Sequence, residues 1–154
     1  VAVTLTGDVY TWGRGCEGQT GHRFTDDNHC NKSDPHVSKF ACWIVCNHRS
    51  RVGQRAEIQL LPKLVVIPSQ QHEPAKFTAC GPNFTIILTR RGVPWAWGEG
   101  RCGELGVGLR IAKQPTPARV CWPDDASKCE FVTCGWAHVL AFDSDCKLFS
   151  STAV

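Results

Sequence analysis

The residues with the clearest potential for chemistry are cysteines and histidines in a polar segment before position 50. They are His29, Cys30, Cys42, Cys46 and His48. Thiolate and imidazole are side chains that zinc prefers as ligands, so this group forms a candidate zinc cluster. A single residue separates Cys46 from His48, which is too tight for a familiar zinc finger. The simpler interpretation is a cysteine-rich loop, and we predict no metal site.

Two Gly-x-Gly pairs could cradle a phosphate. They are Gly13-x-Gly15 and Gly98-x-Gly100. A phosphate cradle of this type needs a parallel strand–helix unit in which the glycines open a helix. No helical apolar stripe follows either pair, so we predict that these glycines serve as backbone bends.

Catalytic groupings are missing from the sequence. It contains no Gly-x-Ser-x-Gly elbow, no His-Glu-x-x-His motif and no cysteine in a recognised nucleophile motif. We therefore predict a protein that is not an enzyme, with no catalytic residues and no cofactor-binding residues.

Composition narrows the class of partner. The 154 residues include 17 basic and 14 acidic side chains, a formal net charge of +3. That charge is too small to support nucleic-acid or chromatin binding. No run approaches the roughly eighteen apolar residues of a membrane span, so no membrane partner is expected. The chain opens inside a strand-like run, Val1–Leu5, and we expect it to be part of a longer protein or the product of an incomplete gene model.

Ten cysteines allow two interpretations. In a secreted protein they could form a disulfide framework. Against this, Cys80 and Cys134 each precede a glycine inside an apolar strand, where free cysteine behaves as a small buried hydrophobe. We therefore predict a reduced, intracellular protein, cytoplasmic or nuclear.

An internal repeat organises the elements that would position any site. Six glycine and tryptophan positions recur after 85 residues without a gap. The first copy is Gly7, Trp12, Gly13, Gly15, Gly18 and Gly21, and the second is Gly92, Trp97, Gly98, Gly100, Gly103 and Gly106. A second match, at a spacing of 54, aligns Cys80-Gly81 with Cys134-Gly135. This match defines a third copy of the repeat. In it, Cys146 stands at the position of the turn glycine Gly92, and Ser151 stands at the position of Trp97.

Short strands separated by turn residues indicate antiparallel β-structure throughout the repeats. Residues 1–21 form the end of a first repeat, with strands at Val1–Leu5 and Val9–Trp12. Residues 62–106 form a complete repeat, predicted to be one four-stranded blade. Its strands are Pro62–Pro68, Ala75–Cys80, Phe84–Leu88 and Val93–Trp97. Residues 107–154 form a partial third repeat that begins with a strand at Pro117–Pro123.

Residues 22–61 interrupt the repeats. The equivalent connection after the second glycine-rich segment is about thirty residues shorter. A connection of this length without clear periodicity is unusual in a compact domain. We predict an irregular insertion outside the blade core, which could be a functional loop, a disordered segment or sequence wrongly joined to the gene product.

The repeat unit carries a family likeness. Its order is Pro…Val…Cys-Gly…Leu-Thr…Gly-Val…Trp-Gly-x-Gly…Gly-x-Leu-Gly. This unit resembles the repeat of the regulator of chromosome condensation family. The resemblance implies a seven-bladed β-propeller with four antiparallel strands in each blade. We therefore expect an all-β fold, a partial β-propeller of about two and a half blades with an incomplete set of repeats.

The resemblance implies function only broadly. The family includes an exchange factor for the small GTPase Ran, modules of HECT ubiquitin ligases and a plant ultraviolet-B photoreceptor. The first expectation is a non-catalytic protein-interaction scaffold. The alternative is a guanine nucleotide exchange factor for a Ras-like GTPase. Partners would be other proteins, such as a small GTPase or a component of the ubiquitin pathway.

The repeat tryptophans and one variant turn are the remaining candidates for a binding site. Trp12, Trp95 and Trp97 lie on repeat strands and are predicted to pack between blades. Gly135-Trp136-Ala137-His138 resembles the Gly-Trp-Arg-His-Thr motif of the photoreceptor, but Ala137 stands in place of the arginine. The family's repeat histidine implies that His138 is half-buried and hydrogen-bonded to a neighbouring loop.

Overall fold

The computed structural model describes residues 1–22, 58–69, 73–108, 111–123 and 127–151. These residues form ten β-strands in three antiparallel sheets, and the described ranges contain no helix. The strands are β1 (Ala2–Val3), β2 (Val9–Arg14), β3 (Ile58–Leu64), β4 (Ala75–Cys80), β5 (Phe84–Thr89), β6 (Pro94–Glu99), β7 (Lys113–Arg119), β8 (Cys129–Cys134), β9 (Val139–Asp143) and β10 (Leu148–Ser151). Accordingly, the described part of the chain holds no helix that is long and apolar enough to cross a membrane.

The three sheets are successive pieces of one repeating architecture. The first sheet has the order β1-β2-β3, the middle sheet β4-β5-β6-β7, and the third sheet β10-β9-β8. The middle sheet is a complete four-stranded unit, and its neighbours each hold three strands of the same unit. The prediction of an all-β partial propeller with about two and a half blades is confirmed.

The boundary of the complete blade differs from the prediction. Strand β3 pairs with β2 in the first sheet, with Tyr10 opposite Leu64. Strand β7 closes the middle sheet instead, with Ala96 opposite Ala118. The prediction that residues 62–106 form one blade is therefore wrong, because the blade runs from residue 75 to residue 119. Each glycine-rich segment reverses the chain, so the strand that follows it pairs with the strand before it.

The same pairing changes two predicted strands and the end of the insertion. The strand expected at Pro62–Pro68 is Ile58–Leu64, and the one expected at Pro117–Pro123 is Lys113–Arg119. Residues 58–61 therefore belong to the first sheet and not to the predicted insertion. The candidate zinc ligands between His29 and His48 lie outside the described residues.

Two apolar layers hold the sheets together. Alternate residues of a strand point to opposite faces of its sheet, so β5 contributes to both layers. Ile87 joins Trp97 and Val9 in the layer between the first and middle sheets. Ile86 and Val132 lie in the layer between the middle and third sheets. The middle sheet is thus covered on both faces.

A carboxylate organises the hairpin turn of the third sheet. Asp143 is buried, and its Oδ1 accepts hydrogen bonds from the backbone amides of Asp145 and Lys147, both at 2.9 Å. Cys146, which stands at the position of Gly92, adopts a φ of 62° in this turn. The aspartate therefore supports a conformation that glycine adopts more readily.

The two repeat cysteines differ in environment. Cys134 is partly buried and packs against the layer between the middle and third sheets. Cys80 is exposed, which differs from the predicted burial; it is the last residue of β4, an edge strand of the middle sheet. Burial, with a smaller contribution from Cys80, raises the pKa of the Cys134 thiol to about 12.

This difference predicts selective thiol chemistry. Only the thiolate reacts with iodoacetamide, and a rise from the ordinary 9.0 to about 12 lowers its fraction at pH 8 about a thousandfold. Mass spectrometry of the alkylated protein should show the exposed Cys102 and Cys146 labelled long before Cys134. Equal labelling rates under native conditions would contradict the placement of Cys134.

Candidate interaction surface

Four connections meet at one end of the sheets. The first residue of β5 pairs with the end of β6, with Phe84 opposite Gly98. The β4–β5 turn therefore lies beside the glycine-rich segment that follows β6. Equivalent connections follow β8 and β2. We call this end the loop face, and it consists of residues 15–21, 81–83, 100–106 and 135–138.

The glycine-rich segments are two consecutive tight turns. In the first segment, the amide of Gly18 donates to Gly15 O at 2.8 Å and the amide of Gly21 donates to Gly18 O at 2.9 Å. In the second segment, the amide of Gly106 donates to Gly103 O at 3.0 Å. These hydrogen bonds give the loop face a defined backbone shape.

Each glycine-rich segment is also tied to the next sheet by a backbone carbonyl. Gln19 O accepts hydrogen bonds from Trp97 Nε1 and Thr85 Oγ1, each at 3.0 Å. Glu104 O, at the equivalent position, accepts a hydrogen bond from Ser151 Oγ at 2.9 Å. Sequence reasoning missed Gln19 and Glu104, since a backbone acceptor leaves no side-chain signature.

The β8–β9 turn presents an exposed tryptophan. The amide of Gly135 donates to His138 O at 2.8 Å, which closes the turn. A Cβ atom on Gly135 would overlap the His138 ring, just as one on Gly81 would overlap the Phe84 ring. His138 was predicted to be half-buried and hydrogen-bonded to a neighbouring loop. In the structure its side chain is exposed, and its ring packs against Gly135 of the same turn.

Trp136 stands at the tip of this turn, and 82% of its surface is exposed. Beside it lies an open cleft of about 480 Å³ that draws on all three sheets. The cleft is lined by Glu17, Pro82, Asn83, Phe84, Glu99, Arg101, Cys102, Glu104, Trp136 and Ala137. An exposed indole next to a concave, mixed surface has the composition of a protein-binding hot spot.

Three charged groups at the cleft take part in ion pairs: Glu17, Glu99 and Arg101. Arg101 Nε lies 2.7 Å from Glu99 Oε1, and this hydrogen bond raises the pKa of the Arg101 guanidinium. Glu17 lies between Arg14, at 3.5 Å, and Lys113, at 3.6 Å. Such exposed pairs add little stability, so they remain available to exchange partners at an interface.

The other framework residues lie on the strands, in the hairpin turns and in the loop face itself. Trp97 is fully buried against the first sheet, whereas Trp12 is 44% exposed. The exposure of Trp12 differs from the predicted packing because its side chain faces away from the middle sheet, where no other described sheet packs. The framework glycines fall in hairpin turns (Gly7, Gly92), at the strand irregularities next to the tryptophans (Gly13, Gly98), in the glycine-rich segments (Gly15, Gly18, Gly21, Gly100, Gly103, Gly106) and after the first strand of a sheet (Gly81, Gly135).

Among the described residues, no group of three or more histidine, cysteine or acidic side chains is arranged to hold a metal ion. The loop face presents an aromatic side chain, ion-paired charges and backbone groups fixed by tight turns.

The three sheets are antiparallel, each joins strands in chain order, and they pack face to face. This arrangement defines the blades of a β-propeller. Residues 92–142 match the family model of the regulator of chromosome condensation (RCC1) repeat. The chain belongs to the regulator of chromosome condensation repeat family and carries an incomplete set of its repeats.

Relatives and solved structures agree with this assignment. The chain is 28% identical over 148 residues to the Protein RCC2 homolog of Xenopus laevis, covering 96% of the chain and 22% of that protein. It is 30% identical over 141 residues to the ultraviolet-B receptor UVR8 of Arabidopsis thaliana, covering 92% of the chain and 24% of that receptor. The structure of human WBSCR16 matches with a TM-score of 0.69 at 15% identity, covering 96% of this chain and 29% of that one.

The structure of Prp20p from Saccharomyces cerevisiae matches with a TM-score of 0.63 at 19% identity, covering 97% of this chain and 30% of that one. At these identities the structural matches show the fold. The chain thus spans less than a third of the length of these relatives and solved structures.

Proposed function

We propose that this chain is part of a non-catalytic protein-interaction scaffold whose loop face binds a partner protein. The observation that carries the proposal is the exposure of Trp136, 82% of whose surface is open beside the cleft. Burial of an exposed indole at an interface removes a large apolar surface from water at a low cost in side-chain entropy.

The rigid support of Trp136 strengthens this proposal. Its turn is closed by the Gly135–His138 hydrogen bond, and its neighbours in the cleft lie on turns that are themselves hydrogen-bonded. A surface that is already ordered loses little conformational entropy on binding. The loop face is therefore suited to recognise a folded partner without rearrangement.

The partner class follows from charge and from the family. A net charge of +3 gives no support for nucleic acid. We propose a protein partner, such as a small GTPase or a component of the ubiquitin pathway, in the cytoplasm or the nucleus.

Guanine nucleotide exchange on a Ras-like GTPase is the second candidate function. It is favoured by the fold shared with Prp20p, whose structure was described together with that protein's binding to Gsp1p and histones. Exchange works by contact between protein surfaces, so it needs no catalytic dyad on this chain.

Substitution of Trp136 tests the binding surface. We expect Trp136→Ala to weaken partner binding by about 2 kcal/mol or more, as for a central interface tryptophan, and to leave the melting temperature nearly unchanged. A photo-crosslinking residue at position 136 of the full-length protein would identify the partner in cells, and its Kd would then be measured by calorimetry.

Leu5 provides the matched control. It is 97% exposed on a hairpin turn at the opposite end of the sheets. Leu5→Ala should leave the Kd unchanged, and a crosslinker at position 5 should not capture the same partner. Equal effects at positions 5 and 136 would exclude the loop face as the binding surface. Nucleotide release from a panel of small GTPases then separates exchange from simple binding.

A further inference from the structure

The space between neighbouring sheets is filled differently at two equivalent positions. Between the first and middle sheets it is filled by Trp97, which has no exposed surface. The Trp97 Nε1 atom donates to Gln19 O at 3.0 Å. The ring lies so close to the first glycine-rich segment that a Cβ atom on Gly21 would be 2.9 Å from Nε1.

Ser151 occupies the equivalent position between the middle and third sheets, 54 residues later. Its hydroxyl reaches the equivalent carbonyl and donates to Glu104 O at 2.9 Å. A Cβ atom on Gly106, the counterpart of Gly21, would lie 3.8 Å from the Ser151 Cβ. The serine therefore preserves the hydrogen bond between the sheets but supplies none of the volume of an indole.

The missing volume appears as a cavity of about 160 Å³ between the middle and third sheets. Its walls include Leu105, Gly106, Val120, Val132, Phe149 and Ser151. Most of these groups are apolar. A cavity of about 150 Å³ with apolar walls stays dry and binds benzene in another protein, so this size suffices for one aromatic ring system.

One polar group in the cavity wall, the backbone oxygen of Glu104, can accept a further hydrogen bond. Gln19 O accepts two side-chain hydrogen bonds, from Trp97 and Thr85. Among the described residues, Glu104 O accepts one side-chain hydrogen bond, from Ser151, because Val139 stands where the first interface has Thr85. A carbonyl oxygen has two lone pairs, so Glu104 O can accept a second donor from a bound molecule.

We propose that this cavity is a binding site for a small planar aromatic molecule of the indole class. The ring would take the place that the Trp97 ring holds in the neighbouring interface, and its N–H would donate to Glu104 O. Among the described residues, the site between the sheets shares only Glu104 with the cleft beside Trp136. The proposal rests on the space between the sheets and does not depend on the proposed function.

Indole itself is the probe. Titration of the purified, isotope-labelled protein with indole should shift the backbone amide signals of Gly106 and Ser151 in a saturable manner. Gly21 is an internal control, because the Trp97 ring already occupies its interface, and its amide signal should stay in place. When free indole is ten times its Kd, the unfolding equilibrium constant should fall about elevenfold.

Filling the cavity with a side chain of the protein itself should weaken this binding. Ser151→Trp places an indole in the cavity, so we expect a higher melting temperature and indole binding weakened about tenfold or more, because two rings cannot share the space. Ser144→Trp adds the same side chain on an exposed hairpin turn and should leave indole binding unchanged.

A second variant tests the hydrogen bond and keeps the proposal falsifiable if Ser151→Trp does not fold. Val139→Thr supplies a hydroxyl group at the repeat position that Thr85 occupies in the first interface, from which it can donate to Glu104 O. It should weaken the binding of indole but not of benzene, which has no N–H group to compete for Glu104 O. Absence of saturable shifts at Gly106 in the unmodified protein would overturn the proposal, as would unchanged indole binding in a folded Ser151→Trp variant.

Discussion

Trp97→Ala should lower the free energy of unfolding by about 3–5 kcal/mol, the usual range for removing a large aromatic side chain from a core. The indole is fully buried in the layer between the first and middle sheets. Its truncation would leave a cavity there and would also remove the hydrogen bond from Nε1 to Gln19 O. Because Thr85 still donates to that carbonyl, the cavity should account for most of the loss.

Trp12→Ala is the matched control, since Trp12 and Trp97 occupy the same position in the repeat. Trp12 is 44% exposed, so its truncation should cost about 1 kcal/mol, typical of a partly exposed site. Urea denaturation of both variants, with comparison of their midpoints at equal m-values, measures the difference. Similar losses in the two variants would show that the sheets do not cover Trp97 selectively.

The two tryptophans show what the sequence could and could not predict about the fold. The spacing of glycine and tryptophan predicted the repeat, the strands β4, β5 and β6, and the all-β class. Identical residue types at identical repeat positions carried no information about which of them a neighbouring sheet covers. Burial of Trp97 and exposure of Trp12 depend on contacts between sheets, which lie outside the local pattern.

The blade boundary illustrates a second limit. The first residue of a repeat unit can be chosen anywhere along the repeat without changing the sequence match. Periodicity alone therefore does not show which four strands pair in one sheet. The hydrogen bonds of β3 with β2, and of β7 with β6, decide that question in the structure. Local propensity predicted strands near residues 62 and 117 but placed each of them in the wrong sheet.

The loop face was predictable in part. The variant turn at Gly135–His138 was visible in the sequence, and its tryptophan is 82% exposed beside the cleft. The acceptors Gln19 O and Glu104 O were invisible because every residue has a carbonyl. The cavity beside Ser151 could not be seen either, since a serine in a tryptophan position has consequences only once the facing sheet is known.

Gly98→Ala should be among the most destabilising single substitutions in the chain, at about 4 kcal/mol or more. Gly98 has a φ of 114°, which an alanine adopts only with strain. In addition, a Cβ atom at this position would lie 2.6 Å from the Phe84 Cα and would overlap the carbonyl oxygen of Asn83. Neither backbone group can move aside without breaking the pairing between β5 and β6.

Gly13→Ala separates these two effects. Gly13 is the repeat counterpart of Gly98 and has a similar φ of 103°, but a Cβ atom there would meet no atom of the described residues within 4 Å. Its substitution should therefore cost only the backbone strain, about 1–3 kcal/mol. Equal losses in urea denaturation would mean that strain alone explains the repeated glycine. A larger loss for Gly98→Ala would show that this glycine lets β6 approach the turn carrying Asn83. Since Asn83 and Phe84 line the cleft beside Trp136, the same substitution should then weaken partner binding as well.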